Sequence, residues 1–115
     1  MRFTMTYKRW DIVLLPFPFT DLKATKKRPA LILSPIDYNS GPNVLVMFVT
    51  SNLKTKPKQG DHILTEWKQA GLPKPSMTRM KIATIDKALI VKKIARLTKK
   101  DQQALAENIR EFFGI

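Results

Sequence analysis

Val44-Leu-Val-Met-Phe-Val-Thr50 is the most β-prone stretch of this 115-residue chain. Its β-branched, aromatic and long apolar side chains fit a pleated, buried surface, so it reads as a central strand. On its N-terminal side, Asn39-Ser40-Gly41-Pro42 is a strong turn signal. Before that turn, Arg28-Pro-Ala-Leu-Ile-Leu-Ser34 reads as a second strand, with Pro29 tolerated near its start. Asp11-Ile-Val-Leu-Leu-Pro-Phe17 is a short apolar run ended by Pro16 and Pro18, as a buried strand would be. Residues 18–27 are polar and basic with no period, and read as a loop.

On the C-terminal side, a basic loop carries Lys54, Lys56 and Lys58, and a short strand is expected over Asp61–Thr65. Gly71-Leu-Pro-Lys-Pro75 breaks regular structure. Ser76–Ile82 alternates like a half-exposed strand, and another strand is expected around Ile90–Arg96. Thr98-Lys-Lys-Asp101 then fits a capping box with Thr98 as N-cap. Leu105, Ile109, Phe112 and Phe113 fall on one helical face, which predicts that the aromatic pair packs in the core, and Gly114 provides a stop. Five or six short strands and one terminal amphipathic helix make a mainly β fold, a small barrel or strongly bent sheet with a helix packed on it. No helices alternate with the strands, which argues against a parallel α/β sheet.

Composition bounds the function. Residues 1–115 suffice for a single domain, and 43% hydrophobic content supports a small core. The longest apolar runs are only a few residues, so the chain is expected to be soluble and cytoplasmic, without membrane association. Cysteine is absent and His62 is the lone histidine, which removes disulfides, thiolate catalysis, Cys-based zinc sites and a two-histidine acid–base pair. Lysine and arginine number 21 against 9 acidic residues, a net charge of +12 that points to a polyanionic partner.

Five stretches, in order, resemble the MazF/PemK family of toxin endoribonucleases. They are Asp11–Asp21, Lys27-Arg-Pro-Ala-Leu-Ile-Leu-Ser34, Val49-Thr-Ser51, Gly71-Leu-Pro-Lys-Pro-Ser76, and Thr84-Ile-Asp-Lys87 followed by Ile94-Ala-Arg-Leu97 and the terminal helix. The resemblance implies an SH3-like barrel of the CcdB/MazF/PemK kind, usually a homodimer. It implies metal-independent, sequence-selective cleavage of single-stranded RNA, with no cofactor, by attack of the ribose 2′-hydroxyl on the adjacent phosphate. It also implies a cognate acidic antitoxin as partner, with DNA binding only through the antitoxin complex. The family's active-site Arg and Thr match Arg28 and Thr50. Two positions depart from the pattern: Trp10 stands where the family commonly has Gly, and Ala83 where many members carry a larger or basic residue.

The residues suit that chemistry. A guanidinium is a planar fork that matches two phosphate oxygens, and Arg28 sits where a basic loop becomes a strand. Its bland alternative is an ion pair with Asp11 or Asp86. The hydroxyls of Thr50 and Ser51 can hold a phosphate for in-line attack, or simply cap the strand's own turn. Lys23, Lys26 and Lys27 on one side, and Lys54, Lys56 and Lys58 on the other, would form a positive rim for an RNA backbone. Phe17 and Phe19 offer bases a stacking surface, or else are buried, and Trp67 after the short strand is another stacking or interface candidate. His62 reads as an ordinary strand residue rather than a general base, and no metal site is expected. The competing functions are a CcdB-like toxin that binds DNA gyrase without cleaving anything, and a basic SH3-like module that binds RNA without cutting it.

Overall fold

The computed structural model describes residues 6–16 and 26–115. The apolar runs become strands: β1 (Asp11–Pro16), β2 (Lys27–Ile32), β3 (Asn43–Thr50), β4 (His62–Ile63), β5 (Met77–Asp86) and β6 (Lys92–Arg96). One sheet holds all six in the order β4-β5-β3-β2-β1-β6, and every neighbouring pair is antiparallel. The stretch over Val44–Thr50 is indeed interior, flanked by β2 and β5. The sheet curls into a half-barrel with the terminal helix packed on it. Among the described residues no helix is long and apolar enough to cross a membrane.

Alternation along the strands splits the apolar side chains between two clusters. Val13, Leu15, Ala30, Ile32, Val44, Val46 and Ile85 pack on Tyr7. Ile12, Leu31, Met47, Val49, Leu64, Leu72, Ala95 and Leu97 pack on Leu105 of the terminal helix α3 (Lys99–Phe113). Leu105 is fully buried, as its helical position predicts. Phe112 and Phe113 are not: they are 40% and 54% exposed, and meet edge to face. The helix runs past the edge of the core there, so its apolar face outlasts the surface that could cover it. Phe112 instead lies over Gly60, whose φ of +90° and close neighbours leave no room for a side chain.

The capping box is also not realised. Thr98 occupies the N-cap position in extended conformation, but its side chain makes no cap hydrogen bond. Its hydroxyl donates instead to Glu66 Oε1. Asp101 turns away from its own helix and accepts from the backbone N–H of Thr65 (3.0 Å) and of Glu66 (2.8 Å), and from the Thr65 hydroxyl (3.1 Å). His62 Nε2 stands 3.1 Å from the same carboxylate. The connector after β4 thereby hangs on the first turn of α3. Two one-turn helices also form: α1 (Ile36–Asn39), running into the expected turn, and α2 (Trp67–Ala70), just ahead of the expected break at Gly71. Buried Asn39 of α1 donates to the Tyr7 and Ser34 carbonyls, which explains why that turn is helical.

Burial by itself would raise the Asp101 pKa, but the four hydrogen bonds more than offset it and hold the carboxyl below its usual range. Because the folded pKa is depressed, the stabilisation is full above the unfolded value near ~4 and drains as pH falls through the lower folded value. Asp101→Ala should cost more than about 3 kcal/mol in urea denaturation at neutral pH, because at least two charge-assisted bonds worth roughly 1.5–3 kcal/mol each are lost. Asp101→Asn should flatten the acid limb of stability against pH. A variant that keeps both the wild-type midpoint and the acid limb would show that the carboxylate is not the fastening.

Candidate functional site

The β2–β3 ladder pairs Ala30 with Phe48, Leu31 with Met47 and Ile32 with Val46. Arg28 and Thr50 lie two residues beyond the end of this ladder, one on each strand. On its other side Thr50 pairs with Met77, the first residue of β5. The strand ends therefore follow one another at about 4.8 Å per step, with Arg28 on β2, Thr50 on β3 and Ser76 just ahead of β5.

These ends open into a cleft of about 520 Å³. Lys26, Lys27, Arg28, Thr50, Ser51 and Asn52 line it from β2 and β3 and the segments beside them. Pro73, Lys74 and Ser76 line it from the loop before β5, and Leu14, Val49, Leu72 and Ile94 supply apolar wall. Among the described lining residues there are four cations and no carboxylate. An array of that kind attracts anions, and phosphate above others, since guanidinium and hydroxyl donors match its oxygens.

Arg28 and Thr50 are each half-buried. The Thr50 hydroxyl caps its own turn, as its strand-end position allows: Asn52 N–H donates to Oγ1 at 3.1 Å. That bond does not compete with ligand binding. It occupies a lone pair of Oγ1 and leaves the hydroxyl proton to be donated elsewhere. Asn52 Oδ1 in turn accepts from Lys54 N–H at 3.2 Å, which fixes the start of the following loop.

The other expected residues divide. Ser51, Lys26 and Lys27 are exposed and line the cleft. Lys54, Lys56 and Lys58 are exposed on the loop beyond it and are not among its lining. Phe17, Phe19 and Lys23 lie outside the described residues. His62 belongs to the Asp101 junction and Trp67 packs against the core. Asp11, the alternative partner named for Arg28, is buried and takes Lys8 N–H, Lys93 and Arg96. Among the described residues no group of three His, Asp or Glu side chains gathers as metal ligands would. Sequence reading missed Lys74, Ser76 and Asn52. The Pro-Lys-Pro run was a signal of a rigid loop, but nothing in the sequence said which strand end it faces.

The comparisons agree with this architecture. Residues 8–113 match the model of the PemK-like, MazF-like toxin family of type II toxin–antitoxin systems. No curated protein matches in sequence. In structure the chain is similar to an endoribonuclease solved in complex with its cognate antitoxin from a mycobacterial species, at 14% identity and TM-score 0.75, over 95% of this chain and 96% of that one. It is similar to the MazF toxin MazF-mt6 of Mycobacterium tuberculosis at 23% identity and TM-score 0.72, over 91% and 97%. A third likeness is to a MazE–MazF structure from Deinococcus radiodurans, at 20% identity and TM-score 0.75, over 96% and 99%. At these identities the structural likeness establishes the fold.

Thr50→Val removes the hydroxyl and keeps the β-branched shape. Only the exposed Asn52 N–H loses a partner, and water replaces it, so the stability loss in urea should stay below about 1 kcal/mol. A loss of several kcal/mol would make Thr50 a structural residue first.

Proposed function

The chain belongs to the PemK-like, MazF-like toxin family of type II toxin–antitoxin systems, and from that membership we propose that it is the toxin of such a pair, a sequence-selective endoribonuclease acting on single-stranded RNA. The observation that carries this reading is that Arg28 and Thr50 both line one cationic cleft.

Cleavage by the neighbouring hydroxyl forms a bond from the 2′-oxygen to phosphorus and breaks the bond to the 5′-oxygen. The 2′-hydroxyl gives up its proton, and the 5′-oxygen leaves with one. The products are a 2′,3′-cyclic phosphate and a 5′-hydroxyl. Negative charge grows on the two non-bridging oxygens in between. Arg28 would hold both oxygens in its fork and stabilise that charge. A guanidinium pKa above ~12 makes electrostatic stabilisation, rather than proton transfer, its role. Thr50, with its lone pair engaged by Asn52 N–H, would donate its proton to one oxygen and fix the phosphate for in-line attack. Lys26 and Lys27 would hold the flanking backbone. These fixed cations supply the charge that a metal ion supplies in other nucleases, so the reaction should proceed in EDTA.

The same positive cleft suits an acidic antitoxin segment that competes with RNA, and two of the similar structures contain an antitoxin. A homodimer is also part of the proposal. A groove of about 620 Å³ beside α3 has Leu33, Ile82, Ile109, Phe113 and Ile115 in its lining, together with Arg9 and Arg110. Phe113 and Ile115 there are 54% and 85% exposed, apolar side chains that a second copy would cover.

Arg28→Ala should slow cleavage of a long RNA in EDTA by about 10²–10³-fold with unchanged circular dichroism, the loss typical of one preorganised charge-stabilising donor. Cleavage at the wild-type rate would remove Arg28 from the active site. A wild-type protein that binds the RNA intact would make it a binding module, and one that ignores RNA would favour a protein target such as gyrase. Sedimentation at micromolar concentration should show a species of twice 13.2 kDa. Monomer alone would refute the dimer.

A further inference from the structure

Resting on the endoribonuclease reading, we propose that Lys74 is a second phosphate-binding residue, which holds a backbone phosphate other than the one at Arg28. The order of strand ends is the first reason. Thr50 stands between β2, which carries Arg28, and β5, which begins at Met77. Lys74, three residues before Met77, reaches the cleft from the β5 side, while Arg28 reaches it from the β2 side. Two cations on opposite flanks of one hydroxyl fit consecutive phosphates of a strand lying across the sheet end better than they fit a single phosphate.

The second reason is the way Lys74 is held. Gly71 ends α2 at φ +106°, where a side chain is strained, and it lies against Ile94 O and Ala95 of β6. Leu72 is buried in the core next to it. Ser76 Oγ donates to Lys74 O at 2.9 Å, and Leu64 N–H donates to Ser76 O at 3.0 Å. Pro73 and Pro75 flank Lys74 and restrict its backbone. An exposed lysine on an ordinary loop samples many positions. This one projects from a backbone pinned at both ends and stiffened on both sides, so little ordering is left to occur when a phosphate binds. The described lining holds no carboxylate to neutralise it.

The test uses the full-length protein and a single-stranded 2′-O-methyl RNA oligonucleotide, which binds without offering the attacking hydroxyl. Affinity is measured by fluorescence anisotropy across a salt series. Lys74→Gln should flatten the slope of log K against log[salt] by about 0.7, which corresponds to about fivefold weaker binding at 0.1 M salt. Lys74→Arg should restore both. Lys74 is exposed and accepts the Ser76 hydroxyl through its backbone carbonyl, so both variants should fold as the wild type does. Arg28→Gln and Lys74→Gln should then add in log K in the double variant, because contacts to separate phosphates are independent. A Lys74→Gln protein with the wild-type slope overturns the proposal. So does a double variant no weaker than Arg28→Gln alone, which would put both cations on one phosphate. Failure of the nuclease reading would look different: Lys74-dependent binding by a wild-type protein that leaves unmodified RNA uncut. A wild-type protein that binds no oligonucleotide overturns both.

Discussion

A buried carboxylate fastens this fold. A sheet of six short strands has two edges, here β4 and β6, and a chain this small has little apolar surface to spare for closing it. The terminal helix leaves from the β6 side, and Asp101 in its first turn captures the connector that follows β4. The N-terminal turn of a helix already favours negative charge, so Asp101 has a second source of stabilisation there. Leu105, one turn further on, then meets Leu64 and Leu72 from the far edge and Ala95 and Leu97 from the near one. The polar bond sets the direction of the helix, and the apolar contact supplies most of the area.

That fastening also shapes the cleft. The loop of residues 71–76 lies between α2, which begins just after the connector, and β5. Gly71 of that loop lies beside Ile94 and Ala95 of β6, and Ile94 and Leu72 belong to one wall of the cleft. The opposite wall needs no such device, because Arg28 and Thr50 lie at the ends of the neighbouring strands β2 and β3. The site is thus assembled from one wall of local pairing and one wall of long-range closure.

This division accounts for what was legible in the sequence. β1, β2, β3 and the terminal helix could be read because each carries its own period or apolar run. Arg28 and Thr50 could be singled out by family resemblance, but that their strands are neighbours is a property of pairing, which residue patterns alone do not show. Lys74 sat in a run that composition marks merely as a break. Thr98 and Asp101 had the spacing of a capping box, yet Glu66, Thr65 and His62, distant in sequence, offered better partners. Trp10 is the sharpest case. It has φ +80°, the only positive φ of a non-glycine among the described residues, at the position where the family commonly has Gly. Both its backbone groups are engaged, N–H with Ile32 O at 2.8 Å and C=O with Leu97 N–H at 3.0 Å, so the turn into β1 keeps its left-handed shape whatever the side chain. A non-glycine there costs about 1–2 kcal/mol. The packing of Trp10 on the core beside Ile109 is the compensation the structure offers.

The charge balance follows from the same economy of acids. Asp11, Asp61, Asp86 and Asp101 each accept a backbone N–H: from Lys8, from Lys58 and Met80, from Ala88, and from Thr65 and Glu66. Asp11, Asp61 and Asp101 also engage basic side chains nearby. These carboxylates hold turns and strand ends in place, and none of them lines the cleft. Nine acids against 21 lysines and arginines leave an excess of +12, and the described lining of the cleft holds four cations and no carboxylate. A surface built this way draws any polyanion toward it, and rigid donors at the strand ends are what distinguish a phosphate backbone from other negative charge. The scaffold's use of its few aspartates and the cleft's affinity for anions are two consequences of one distribution of charge.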